Sequence, residues 1–167
     1  MASGLTTRNF RDARLLLKDG DGTPSTLEVK LLEGRITMEE GFNNIVVMDR
    51  GTIDHVRAGD EMPLKVGFTF KYVELFHASV ATVWQWLKQS GPAASLVSTR
   101  ASDCDRFTFD LELYIADPIG GTGEKITFSD CFVDGAMQLT EGEEYNTVTI
   151  PMMCLTPDSG LTKANFP

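Results

Sequence analysis

In several segments of the chain apolar and polar side chains alternate with period two, the pattern of strands that bury one face. The cleanest run is MPLKVGFTFKYVEL, residues 62–75, where Leu64, Val66, Phe68, Phe70 and Tyr72 take every second position. It predicts one extended strand of about 12 residues, about 40 Å long, where globular strands usually stop at about 5 or 6 residues. Pro63 at its start and Gly67 within it suit a strand end and a close backbone approach. RFTFDLELYIADP sets Phe107, Phe109, Leu111, Leu113 and Ile115 on one face and Thr108, Asp110, Glu112 and Tyr114 on the other. Across the Gly-rich turn DPIGGTG follows EKITFSDCFV, with Ile126, Phe128 and Phe132 on one face, so the two predict a hairpin. After the turn TEGEE, NTVTIPMMCL points Val148, Ile150, Met152 and Cys154 inward. Near the N-terminus, ARLLLK and STLEVKLLEGRITM flank the turn DGDGTP and predict a first hairpin.

Only HASVATVWQWLKQSGP has helical spacing. Ser79 is the expected N-cap, Val80, Val83, Trp84 and Leu87 follow the i, i+3, i+4, i+7 rule, and Gly91 and Pro92 stop the helix, which should span about 79–90. Trp84 lies in the apolar stripe and reads as core. Trp86 falls at its edge, and because tryptophan is enriched at binding hot spots it is a candidate interface residue. The order of elements predicts one mostly β domain over residues 1–167: an antiparallel sandwich or partial barrel with the short helix packed on its side and a C-terminal tail at about 157–167.

One segment fits neither pattern. EEGFNNIVVMDRGTIDHVRAGDE, residues 39–61, is far longer than an ordinary connection of about 4 to 6 residues. Its run Ile45, Val46, Val47, Met48 is apolar without alternation, so both faces call for burial. Either a neighbouring subunit covers it, or it is an ordinary buried strand of the chain's own sheet.

Composition narrows the classes little, with 42% hydrophobic and 23% charged residues in 167. Charge narrows them more. A net charge of −9 and a pI near 4.6 repel phosphate backbones, which argues against tight nucleic-acid binding and against docking on anionic membranes, though not against nucleic acid passing close by. The first residues lack the pattern of a secretion signal, and no segment reaches membrane-spanning length. Cys104, Cys131 and Cys154 are odd in number and widely spaced, and they read as small core residues in a reducing compartment.

Catalytic spacings are missing: there is no Gly-x-Ser-x-Gly elbow, no His-Glu-x-x-His and no P-loop. GGTGEK lacks phosphate-loop spacing and leads into a strand. DGDGTPSTLE carries Asp19, Asp21 and Glu28, but Pro24 stands where a calcium loop needs glycine. His55 and His77 have no ligand partner at metal spacing, and Glu141, Glu143 and Glu144 read as a solvated turn. The expectation is a protein that is not an enzyme and holds no metal and no cofactor.

The order DARLLLKDGDGTPSTLEVKLLEGRITMEE, then VVMDRGTIDHVRAGDEMPLKVGFTFKYVEL, then KITFSDCFVDGAMQLTEGEEYNTVTIPMMC resembles the major tail tube proteins of long-tailed bacteriophages, over about residues 9–156. Its most telling pieces are DRGTIDHVRAGDEMPLKVGFTF and GEEYNTVTIPM, patterns of turn and strand and not of catalysis. The resemblance implies a structural virion protein whose six-membered rings join their long strands into one β-barrel and stack into the tail tube that conducts DNA. It implies that residues 62–75 form a wall strand. It also implies that the long loop, with Phe42, Ile45, Val46, Val47, Met48, Asp49 and Arg50, reaches the adjacent ring. Asp110 and Glu112 are then candidates for the channel lining, where carboxylates keep phosphates sliding. Implied partners are further copies of the chain, tape-measure and tail terminator or tip proteins, and DNA that passes without tight binding. A secretion-system tube shares this architecture. A ligand-binding β-sandwich is the alternative without assembly, and it calls for aromatics exposed on one sheet face, whereas here most aromatics share the inward rows.

Overall fold

The structure is a computed structural model that describes residues 13–29, 34–60, 62–71, 74–100, 106–116, 123–142, 146–155 and, as backbone, 160–164. Its strands are β1 (Ala13–Lys18), β2 (Thr26–Val29), β3 (Arg35–Glu39), β4 (Asn44–Asp49), β5 (Thr52–Ala58), β6 (Leu64–Lys71), β7 (Phe109–Ile115), β8 (Gly123–Val133), β9 (Gln138–Thr140), β10 (Thr147–Cys154) and β11 (Gly160–Ala164). One helix, α1 (Val83–Leu87), and a 3-10 turn at Gly91–Ala93 separate β6 from β7. Among the described residues nine strands form one antiparallel sheet in the order β2-β1-β7-β8-β10-β6-β3, with β11 added to β8 and β9 to β10, while β4 and β5 pair only with each other.

Alternation explains the core. On β6 the buried residues are Leu64, Val66, Phe68 and Phe70, and on β10 they are Val148, Ile150, Met152 and Cys154. Register sets Phe70 opposite Val148, Phe68 opposite Ile150, Val66 opposite Met152 and Leu64 opposite Cys154, which joins both rows into one apolar plate. A second plate forms where Leu15 and Leu17 of β1 face Leu113 and Leu111 of β7. Both plates belong to a single core with Trp86 and Leu87 of α1. Each large side chain buried there stabilises the fold by roughly 1.5–3 kcal/mol. The mostly β, antiparallel architecture with one short helix is as expected, and the sheet is open, with β2 and β3 at its two ends.

Several boundaries differ from expectation. The strand expected over residues 62–75 is eight residues long as β6, and Tyr72 lies outside the described residues. The longest strand is β8, with 11 residues. Its alternation breaks because Phe128 and Cys131, three apart, both face the core. Between them the register gains a residue against Phe109 and Leu111 of β7, with Asp130 left-handed at φ 55°. Phe132 consequently turns away from the core. The single strand expected after DGDGTP is two, β2 and β3, which diverge to opposite ends of the sheet. Part of the expected C-terminal tail is β11, paired with β8.

The helix also begins later and is shorter, five residues from Val83. Thr82, not Ser79, caps it. Its hydroxyl accepts the Gln85 N–H at 3.2 Å, and the Gln85 amide oxygen accepts the Thr82 N–H at 3.2 Å, a reciprocal box that Ser79 does not make. Gln85 is itself buried, and its amide also holds the Leu75–Thr82 loop by bonding both the N–H and the carbonyl of His77. Both tryptophans pack on the core, Trp84 at its margin and Trp86 within it. Trp86 is only 2% exposed and packs edge-on against Phe107 and Phe109, each at 5.2 Å between ring centroids, so it belongs to the core of the chain and is not a candidate interface residue. Trp84 is half-buried, with the Lys88 ammonium 4.8 Å above its ring.

Replacing Trp86 with Ala is therefore expected to cost about 3–5 kcal/mol, the range for a large buried aromatic, and replacing Trp84 with Ala about 1 kcal/mol. Urea midpoints of the two variants check this. Equal shifts would contradict the deeper burial of Trp86.

Candidate functional site

The segment that fitted neither pattern is a free-standing hairpin. Its tip is the two-residue loop Arg50-Gly51 between the paired residues Asp49 and Thr52, with φ of 48° and 84°. Positive φ at both positions makes a type I′ turn, whose twist matches the strands it joins, and glycine supplies the second position without strain. The Thr52 hydroxyl donates to the Asp49 carbonyl at 2.8 Å and tightens the turn. At the other end, the Gly59 N–H donates to the Asn43 carbonyl at 2.7 Å. A Cβ on Gly59 would stand 2.7 Å from the Asn43 side chain, which would have to shift to admit it.

The hairpin's side chains are what mark it. Ile53 is 66% exposed, Val56 58%, Met48 57%, Ile45 52% and Val46 49%, and Phe42 at the root is 76% exposed. Register places Val46 beside Val56 and Met48 beside Ile53, so these four form one contiguous apolar face. Such patches mark interaction surfaces. The reading of residues 45–48 as a buried strand of the chain's own main sheet fails, since among the described residues β4 pairs only with β5 and its apolar side chains are largely exposed. Phe42, Ile45, Val46, Val47, Met48, Asp49 and Arg50 thus come together on one arm, with Val47 alone half-buried. The other side of the arm is mixed, with Ile45 beside Arg57 and Val47 beside His55. The Arg57 Nε–H donates to His55 Nε2 at 2.8 Å, which places the imidazole proton on Nδ1, 2.6 Å from Asp54 Oδ2.

Asp110 and Glu112 stand on the face of β7 opposite its buried row, but neither is a free carboxylate. Glu112 is buried between Lys18 at 2.7 Å and Lys125 at 2.6 Å, and the Tyr114 hydroxyl donates to it at 3.0 Å. Burial pushes its pKa up, yet the hydrogen bonds from Lys125, Lys18 and Tyr114 outweigh burial and hold it below the ordinary value. Asp110 accepts the Asp130 N–H at 3.0 Å, and burial leaves its pKa raised.

The remaining sequence candidates have structural roles. Both oxygens of Asp19, a buried carboxylate, accept backbone N–H groups, from Ser25 at 2.7 Å and Val97 at 3.3 Å, which clamps the DGDGTP turn to the loop before β7. His77 Nδ1 accepts the N–H groups of Ser79 and Val80. Among the described residues no three His, Cys, Asp or Glu side chains gather as a metal site would need. Cys104, Glu143, Glu144 and the GGTG half of GGTGEK, apart from Gly123, lie outside the described residues.

No protein-family model and no curated protein matches the sequence. Solved structures do. The chain is similar to one in the tube-terminating cap of the anti-feeding prophage, with 11% identity and a TM-score of 0.60 over 98% of this chain and 95% of that one. It is similar to one in the extended sheath-tube complex of the PVC extracellular contractile injection system, with 8% identity and a TM-score of 0.58 over 90% and 89% of the two chains. The SPP1 tail tube matches with 6% identity and a TM-score of 0.54 over 96% and 81%. At these identities the likeness is one of fold. The chain has the fold found in a phage tail tube and in tube-bearing injection systems.

The Glu112 cluster generates an acid-stability prediction. Its folded-state pKa lies below the ordinary 4.5, so its stabilisation is complete above the unfolded value and is lost as pH falls through the folded one. At pH about 7, Glu112→Gln should cost about 1–2 kcal/mol, discounted because both lysines are partly solvated. Below about pH 4 that difference should shrink, while Asp110, raised by burial, contributes its opposite slope to both proteins. Urea titrations across this range check it, and a difference independent of pH would contradict the ion-pair account.

Proposed function

We propose that this chain is the structural subunit of a phage-type tail tube. In this reading copies form six-membered rings, the rings stack, and the β4–β5 arm of one ring packs on the next. The observation that carries the proposal is the exposed apolar face of Val46, Met48, Ile53 and Val56, which lies outside the core and is left uncovered by the described residues. A monomer gains nothing from such a face, whereas an assembly buries it. The fold supports the same reading, because it is the fold of the SPP1 tail tube. Tape-measure, terminator and tip proteins are then the chain's partners in the virion, and the role is structural and not catalytic.

Conduction of DNA fits the charge. A net −9 disfavours phosphate capture, since capture is driven by cations that release counterions. Asp110 and Glu112 contribute to a channel wall in this reading through balanced charge, with Glu112 offset by Lys18 and Lys125. A second reading, a tube of an injection system, draws on the similarity to the chain of the contractile injection system's sheath-tube complex. Both readings share the stacked rings and the arm.

Replacing both Val46 and Ile53 with Glu tests the arm. Both side chains are exposed in the subunit, so circular dichroism and the urea midpoint should stay within about 0.5 kcal/mol of the parent. Electron microscopy should show that elongation into tubes is lost. Tubes of normal length from the folded variant would refute the stacking role.

A further inference from the structure

The sheet has a short seam, three paired positions flanked by backbone hydrogen bonds from Asp134 to Pro151 and from Leu155 to Asp130. β8 and β10 meet in register at Met152 with Val133, Met153 with Phe132 and Cys154 with Cys131. By contrast β10 matches β6 at every position from Thr147 to Cys154, and β1 matches β7 from Ala13 to Lys18. This short ladder is the one junction in the strand order between the wing β2-β1-β7-β8 and the wing β10-β6-β3. Cys131 and Cys154 sit directly opposite each other at its end, both with no solvent exposure and with their sulfur atoms 2.6 Å apart. The Cys131 thiol is also within reach of the Phe128 carbonyl, 3.3 Å away across the bulge.

We propose that Cys131 and Cys154 are a site of reversible oxidation, a dithiol that closes to a disulfide and staples the two wings of the sheet at their seam. Directly opposed residues of antiparallel strands have Cα atoms about 4.5–5.5 Å apart, inside the range a disulfide spans without backbone movement. The oxidant class is a low-molecular-weight disulfide. One cysteine thiolate attacks it and expels one small thiolate, and the second cysteine then displaces the other from the mixed disulfide. Two S–H bonds are lost and one S–S bond forms. The small disulfide is reduced to two thiols, which take up the two electrons and both protons.

Burial sets the rate. It pushes the Cys131 thiol well above the ordinary range, so the attacking thiolate arises only when the seam opens to water. The dithiol therefore stays reduced in a reducing compartment and closes slowly after the protein leaves it. Once closed, the bridge ties off the chain from Cys131 to Cys154 and restricts the unfolded state.

The test uses the full-length chain, reduced and then held in glutathione disulfide, with and without sub-denaturing urea to promote opening. Intact mass should fall by two hydrogens, and peptide mapping after alkylation in denaturant should join the Cys131 and Cys154 peptides while Cys104 remains alkylated. The oxidised protein should melt roughly 5 °C or more above the reduced one, a shift that reductant reverses. Cys131→Ala and Cys154→Ala should show no such oxidant-dependent shift. If Cys131 and Cys154 stay fully alkylatable even in urea, if either bridges to Cys104 instead, or if the joined protein melts no higher, the proposal is overturned. The comparison of oxidised and reduced parent stands even if an alanine variant does not fold.

Discussion

The subunit depends on the mutual burial of two apolar plates, that of β6 and β10 and that of β1 and β7, with Trp86 set against Phe107 and Phe109. Close packing leaves such a core no room for further side chains. That constraint has an outward consequence. The apolar residues of β4 and β5 lie outside that core and stay exposed on the arm.

Where local alternation is enough, the sequence is readable. Val148, Ile150, Met152 and Cys154, and likewise Phe109, Leu111 and Leu113, occupy the buried rows that their period predicts. The readings fail where one residue changes conformation or pairing. The bulge before Cys131 depends on a left-handed Asp130, which no spacing announces, and it turns Phe132 out of its expected row. A capping box three residues beyond Ser79 shifts the helix, and Trp86 lies within the core with Trp84 at its margin. The Thr82-x-x-Gln85 spacing carries that signal in the sequence.

The candidate site was half legible. A run of Ile45, Val46, Val47 and Met48 without alternation marks a segment needing burial on both faces, and this identifies the arm. Its hairpin form is hidden because Arg-Gly is a less familiar type I′ pair than Asn-Gly. The state of Glu112 lay beyond reach for another reason. Lys18 and Lys125 meet it only through the register of β1 and β8 on either side of β7, and register is a property of the folded sheet. The acidic balance of the whole chain is thus a poor guide to charge at any one carboxylate.

In the proposed tube the chain is complete in its core and incomplete at its arm. Electron microscopy of the purified full-length chain over a range of concentrations tests it most directly. Rings that stack into tubes, with density for residues 44–58 bridging successive rings, are the predicted result. A particle that stays monomeric at every concentration, with the arm exposed to solvent, would contradict the account.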